Sequence, residues 1–181
     1  MDTRGKDSGP GGTEEVVTAY ESYEREKEAS FIQQEQHATY RPTASALAPV
    51  RIVAVTIDGV GGGHSACLET FQQTTITVQV ESLQEDVPFH IGIAIVRNDK
   101  ENVFGTGTQV AGEPLIGSGH RQVELLFPKL YLLSGNYWLS VYVLDDSGLQ
   151  VYDMAESVCA FTVHNPGREP GLVYIPHQWI F

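Results

Sequence analysis

The run Phe89–Thr108, FHIGIAIVRNDKENVFGTGT, constrains the fold more than any other stretch. Phe89, Ile91, Ile93 and Ile95 recur at every second position, and His90, Gly92 and Ala94 take the positions between them. A period of two belongs to a strand, whose successive side chains point to opposite faces of a sheet. One face therefore suits a core, and the other is nearly bare. Asn98-Asp99-Lys100-Glu101 supplies a polar hairpin, after which the chain opens a partner strand. Gly and Ala in mid-strand give up packing, which is expected where another body approaches the sheet. That bare face is the first place to look for function.

The β signal extends along most of the chain. VRIVAVTI (50–57), TTITVQVES (74–82), FHIGIAIVRN (89–98), HRQVELLF (120–127), NYWLSVYVL (136–144) and ESVCAFTVH (156–164) are rich in β-branched and aromatic residues. Turn signals separate them at Ser134-Gly135-Asn136, Asp145-Asp146-Ser147-Gly148 and Asn165-Pro166-Gly167. Short strands without intervening helices predict an all-β, antiparallel β-sandwich, immunoglobulin-like or jelly-roll-like, over residues 50–181. Upstream, residues 1–12 read as a flexible Gly-rich lead and 37–49 as a linker. Between them, 13–36 predicts an N-terminal helix, with Thr13 as N-cap and Glu14 and Glu15 at the end that favours anions. Its apolar stripe is only Val16, Tyr20 and Tyr23, so the helix reads as solvated and marginal alone.

Composition removes several function classes. With 181 residues and 41% hydrophobic content, the chain can bury one core. A formal net charge of -12 opposes nucleic acid and anionic membrane surfaces. No apolar run approaches about 18 residues and the first twelve carry no signal core, so the reading is a soluble, unexported chain. Cys67, in a predicted loop, and Cys159, in a predicted strand, lack CxxC spacing and read as reduced thiols. The six histidines show no HxxxH or HExxH spacing, so no metal site is assigned. Gly59-Val60-Gly61-Gly62-Gly63 follows a strand as a dinucleotide loop does, yet His64 stands at the final glycine position and no amphipathic helix follows. There is no GxxxxGK[ST] loop and no GxSxG elbow, and Ser118 between two glycines reads as a turn. Asp58, Asp86 and Asp145 sit at predicted turns, where Asp is favoured for backbone reasons. No catalytic residue and no cofactor are assigned, and the expectation is a non-enzyme.

Parity then assigns faces. Ile76, Val78 and Val80 point inward with Tyr137, Leu139, Val141 and Val143, and with Val123, Leu125 and Phe127. Left outside are Thr75, Thr77, Gln79, Glu81, Trp138, Ser140, Tyr142, His120, Gln122 and Glu124, beside the bare Gly92 and Ala94. Two aromatics among uncharged hydrogen-bonding groups suit a sugar, which has an apolar C–H face and a rim of hydroxyls. The candidate contacts are Trp138 or Tyr142 for stacking, and His90, Gln79, Thr77, Ser140 and Gln122 for hydroxyls. Arg97 and Arg121 are candidates for an acidic sugar or phosphate at the edge, although both have core-side parity. A protein interface is the competing use of the same face, giving a structural or assembly module without glycan binding. A glycan-processing enzyme is a weaker third reading, since no catalytic pair stands out.

Three separated segments carry a family resemblance: VFGTGT (103–108), FPKLYLLSGNYWLSVYVLDDSGLQVYD (127–153) and GLVYIPHQW (171–179). In order they give a Phe-Gly-Thr turn, an FP-x-L-x-L-x-x-G-x-Y block, an Asp-Gly hairpin and a closing HxW. Over about residues 50–180 the chain resembles the C-terminal domain of the Wzt-type ATPase subunit of O-antigen polysaccharide ABC exporters. EEVVTAYESYE is similar to the tail of the nucleotide-binding domain that precedes it there. The resemblance implies a β-sandwich that recognises the exported O-antigen polysaccharide, usually near its non-reducing end, at the cytoplasmic face of the inner membrane. It further implies a homodimer with exchange of the GLVYIPHQW segment, and transporter nucleotide-binding and membrane subunits as partners. Binding residues vary within the family and none carries over; Phe104, Gly105, Gly135 and Trp179 match family positions as structural residues.

Overall fold

The structure, a computed structural model, describes residues 48–112 and 114–181. The expected lead, the helix over 13–36 and all but the end of the linker lie outside the described residues. Within them the chain is almost entirely strand: β1 (Val50–Ile57), β2 (Val60–Gly61), β3 (Ala66–Glu69), β4 (Thr74–Arg97), β5 (Asn102–Gly107), β6 (Leu115–Phe127), β7 (Gly135–Leu144) and β8 (Val151–His164). A single 3-10 turn, Thr108–Ala111, follows β5.

β4 organises the molecule. The two strands expected at 74–82 and 89–98 are one strand of 24 residues. Its first half pairs with β1 and β6, and its second half with β5 and β7. The register shifts between Ser82 and Val87, and Asp86 within that interval has φ 54°. Such a bulge bends a strand and increases its twist, so β4 passes from one sheet into the other. The first sheet runs β2-β1-β4-β6 and the second β3-β8-β7-β4-β5, and together they form a nearly closed, barrel-like wrap. Every pairing is antiparallel except β3 with β8, which is parallel, so the expected fully antiparallel architecture is corrected there. β3 had no strand signal: at four residues, with Cys67 and Glu69 exposed, its pattern is too short to read.

The core lies between the two sheets. Ile52, Ile57, Val78 and Val80 of the first sheet join Ile91, Ile93, Ile95, Leu139, Val141 and Val143 of the second in one buried cluster. Two polar ties cross it. A β-bulge shifts the β1 register between Ile52 and Ala54, and the Ile52 N–H donates to Asp153 Oδ2 of β8 at 2.8 Å. Cys159 Sγ contacts the Val55 carbonyl at 3.4 Å. The G-x-Y of the family-like block also has a physical reason. Tyr137 is buried, stacks on Phe161 with centroids 5.5 Å apart, and donates its hydroxyl to the Leu133 carbonyl at 2.8 Å. A Cβ on Gly135 would stand 3.2 Å from that ring, tighter than side chains ordinarily pack, so glycine leaves the tyrosine room to fold back over the loop.

Candidate functional site

The outer face of the second sheet carries the bare patch, and the register extends it beyond Gly92 and Ala94. Opposite residues in paired strands share a face, so Gly107, Gly92, Tyr142 and Met154 form one row. Gly105, Ala94 and Ser140 form the next, and Val96, Trp138 and Ala160 the third. Four residues with little or no side chain thus make a floor against which Tyr142 and Trp138 rise, each half-buried. Packing demands only part of this. A Cβ on Gly107 would press on the Ile91 carbonyl at 3.0 Å, but one on Gly92 would meet Tyr142 Cβ at an ordinary 3.6 Å. At Gly105 the nearest atom would be Asn102 Nδ2, at 3.9 Å. At these two positions a Cβ would make only ordinary contacts, so close packing does not account for the missing side chains.

The nine residues expected at the site fall in four places. Trp138, Tyr142, Ser140 and His90 have outer parity on the second sheet. Thr77, Gln79 and Gln122 lie on the outer face of the first sheet, on the far side of the core, where Gln79 Nε2 donates to Gln122 Oε1 at 3.4 Å. The expectation of one shared outer face is corrected to two, because parity read strand by strand gives inside and outside but not which sheet a strand joins. Two members of the first group are also covered. Ser140 is 4% exposed and its Oγ accepts the Ser157 N–H at 2.9 Å, bracing a β8 bulge. His90 is 3% exposed, with Nδ1 3.2 Å from Thr108 Oγ1, and that hydroxyl accepts the Ile91 N–H at 3.0 Å. Both therefore brace the sheet instead of presenting groups to a ligand. Of the arginines, Arg97 pairs with Asp99 at 3.6 Å beside the β4–β5 hairpin, and Arg121 is exposed on edge strand β6.

Gly105, Gly107, Met154 and Ala160 were missed as members of the face. The alternation in Phe104-Gly105-Thr106-Gly107 was the available signal for the first two. Phe104-Gly105-Thr106, expected as a turn, is mid-strand in β5, where Gly105 joins the bare floor of the sheet face. Burial pushes the Cys159 thiol up to about 11 and raises the Tyr137 phenol, an effect the Arg97 charge partly offsets. Among the described residues no group of His, Cys, Asp or Glu is arranged to hold a metal ion. None of their helices is long and apolar enough to cross a membrane.

A cleft of about 350 Å³ opens elsewhere, between edge strands β5 and β6. Val78, Ile91, Ile93, Val123 and Leu125 form its apolar wall, with Thr106 and Thr108 at the rim. It is the core's own open side, where short β5 leaves the inner residues of β6 half-covered. Its wall is a poor match for a hydroxyl-rich ligand.

The family model described as the Wzt C-terminal domain matches residues 44–175. Among solved structures, the C-terminal domain of Wzt aligns with a TM-score of 0.67 at 18% identity, covering 80% of this chain and 90% of that one. A Niemann-Pick type C2 protein from the Japanese carpenter ant aligns with a TM-score of 0.50 at 6% identity, covering 69% and 98% respectively. At such identities these two likenesses show a shared fold and nothing more. No curated protein sequence matches the chain.

Proposed function

The chain belongs to the Wzt C-terminal domain family, and from that premise we propose that it is a non-catalytic carbohydrate-binding module. It recognises an O-antigen polysaccharide near its non-reducing end and holds it for an ABC exporter. The observation that carries this reading is the cleared floor of Gly92, Ala94 and Gly105 beside Tyr142 and Trp138. A pyranose lies flat on an aromatic ring only where neighbouring side chains leave room, and its stacking on Trp138 or Tyr142 supplies most of the contact. The reading requires no metal or cofactor. Single-site affinity is expected in the millimolar to micromolar range, roughly -4 to -8 kcal/mol, because a shallow wet face buries little area.

Two copies compensate through avidity. Ile175, Trp179 and Ile180 are 75%, 75% and 89% exposed in a C-terminal segment attached through the Leu132–Val173 bridge. So much exposed apolar surface favours a protein contact, in keeping with a homodimer that meets through the residues beyond Tyr174, whose own N–H stays bonded to the Tyr131 carbonyl of the same chain. On this reading the module works with the transporter's nucleotide-binding and membrane subunits at the cytoplasmic face of the inner membrane. The assembly alternative assigns the sheet face itself to another subunit.

Calorimetric titration with the source organism's own O-polysaccharide and with that of an unrelated strain separates the two. Binding of the first alone, abolished by Trp138→Ala in a folded protein, supports the module. Silence with both in a folded dimer rejects it in favour of assembly, and unchanged affinity in Trp138→Ala removes the stacking role.

A further inference from the structure

Away from the sheet face, three rings gather where the end of β3, the β6–β7 connection and the C-terminal segment meet. Phe71 stands edge-on to Tyr174, with centroids 4.8 Å apart at 89°, and to Tyr131, at 5.9 Å and 78°. Tyr131 and Tyr174 are nearly parallel, at 6.2 Å and 12°. Phe71 and Tyr131 are 42% and 40% exposed, so the group is a surface feature and not part of the core.

The backbone beneath is unusual. Phe71 has φ 71°, a left-handed conformation that disfavours a bulky side chain. Its N–H donates to the Leu130 carbonyl at 2.6 Å, while the Leu130 N–H donates to the Gln72 carbonyl at 2.8 Å. Thr70 Oγ1 donates to the Leu132 carbonyl at 2.7 Å, and the Tyr174 N–H to the Tyr131 carbonyl at 2.8 Å. Three of these bonds hold the turn that carries the exposed Phe71 ring, and the fourth docks the strand of Tyr174 beside it.

We propose that Phe71, Tyr131 and Tyr174 form a second glycan platform, which takes sugar residues further along the polymer held by the sheet face. The proposal rests on the glycan reading above, and two observations give the occupant. The first is position. Cys67 pairs with Thr162, Thr162 pairs with Asn136, and Trp138 follows two residues along β7, so the loop bearing Phe71 leaves the sheet at the end where Trp138 stands. A chain with one end beside Trp138 reaches the rings by crossing β8 and β3 toward that end of the sheet.

The second observation is chemistry. The rings are uncharged, two carry hydroxyls that both donate and accept, and Glu69, Gln73 and Lys129 are exposed next to them in sequence. Apolar faces with a hydrogen-bonding rim match the C–H faces and hydroxyls of consecutive sugars. Stacking of this kind tolerates sugar identity. The platform therefore adds affinity for chain length, while the sheet face selects the end.

The test compares the full chain with its Phe71→Gly and Tyr131→Ser variants. Glycine adopts the left-handed conformation without strain, so Phe71→Gly removes the ring and leaves the fold intact. The probes are the source organism's O-polysaccharide as long chains, and its shortest fragments that retain the non-reducing end. Each variant is expected to lose affinity for long chains by about three- to tenfold, the worth of one aromatic contact, with short-fragment affinity unchanged. Unchanged affinity for long chains overturns the platform, as does equal loss on both probes. A variant that instead alters sedimentation behaviour marks the rings as a protein contact and also overturns it. If Trp138→Ala still abolishes binding of short fragments, the platform has failed alone. Wild-type silence with both probes ends both proposals.

Discussion

The two halves of β4 present outer faces of opposite character, although one strand supplies both. On the first sheet Thr75, Thr77, Gln79 and Glu81 alternate outward and are joined by Gln122, Glu124 and Arg51. These side chains pair among themselves: Arg51 with Glu81 at 3.1 Å, Gln79 with Gln122, and Gln122 with Glu124 at 2.8 Å. On the second sheet the corresponding positions are Gly92 and Ala94, flanked by Gly105 and Gly107 and then by Tyr142 and Trp138. The first face spends its hydrogen bonds on itself. The second has aromatic rings and empty space, so hydrogen-bonding residue types alone do not mark a site. On the proposed reading, what distinguishes a ligand face is room next to an apolar ring.

The largest expected effect follows directly. Trp138→Ala should reduce glycan binding below detection, and Tyr142→Ala should weaken it by about tenfold or more, both with unchanged far-ultraviolet circular dichroism. If Tyr142→Ala binds normally, the site narrows to the Trp138 end of the face.

Asp153 tests what keeps the two faces apart. Its carboxylate, 1% exposed, accepts the Ile52 N–H from the opposite sheet and the Met154 N–H, each at 2.8 Å. Asp153→Ala removes that acceptor from both, which should cost about 2–4 kcal/mol of stability in urea unfolding. A loss under about 0.5 kcal/mol, the range of ordinary surface substitutions, would show that the tie between sheets lies elsewhere. Next in size is Gly105→Val. The position has room for a side chain and no left-handed φ, so the fold should survive while the floor rises and binding falls about tenfold. Retained affinity would show that the sugar avoids the β5 side of the patch.

Much of the fold was legible because parity is local. VRIVAVTI became β1 at the same residues, and the bare face of 89–95 lies where the period of two put it. Parity was right on both halves of β4 and sheet membership was not legible, because a bulge spanning Leu83–Asp86 carries the strand from one sheet into the other without breaking it. Thr77 and Gln79 were therefore grouped with Trp138 although a core separates them. His90 and Ser140 failed for a different reason. Outer parity says which way a side chain starts, and only tertiary neighbours such as Thr108 and Ser157 decide whether it is covered. β3 and its parallel pairing with β8 have no local signature, since four residues joined to a distant strand are specified by topology alone.

The cysteines check the second sheet's register with a smaller effect. Cys67 on β3 is exposed and Cys159 on β8 is buried, and neither is in a disulfide. A thiol reagent at pH 8 should modify Cys67 at once and Cys159 only after unfolding, because burial raises the Cys159 thiol from 9.0 to about 11 and leaves little thiolate. The same shift has a sign for stability. Below pH 9 the thiol is protonated in both folded and unfolded chains and costs nothing. Between about 9 and 11 the unfolded thiol ionises first, so stability falls as pH rises. Cys159→Ser titrated over that window should show a shallower decline; an identical slope would place the thiol in contact with water and contradict the inward parity of β8.

The smallest expected effect is the sharpest test of the contrast between faces. Gln79→Ala combined with Gln122→Ala removes two hydrogen-bonding side chains that composition alone would rank among the best sugar contacts. Both are exposed, their mutual bond is 3.4 Å long, and they project from the sheet that faces away from Trp138. Stability should move within about 0.5 kcal/mol and glycan affinity should not move at all. A loss of affinity would require the polysaccharide to wrap from one sheet to the other around the β5–β6 edge. The bare patch would then be one end of a longer track, and the first sheet's self-paired amides would have to break their own bonds to bind.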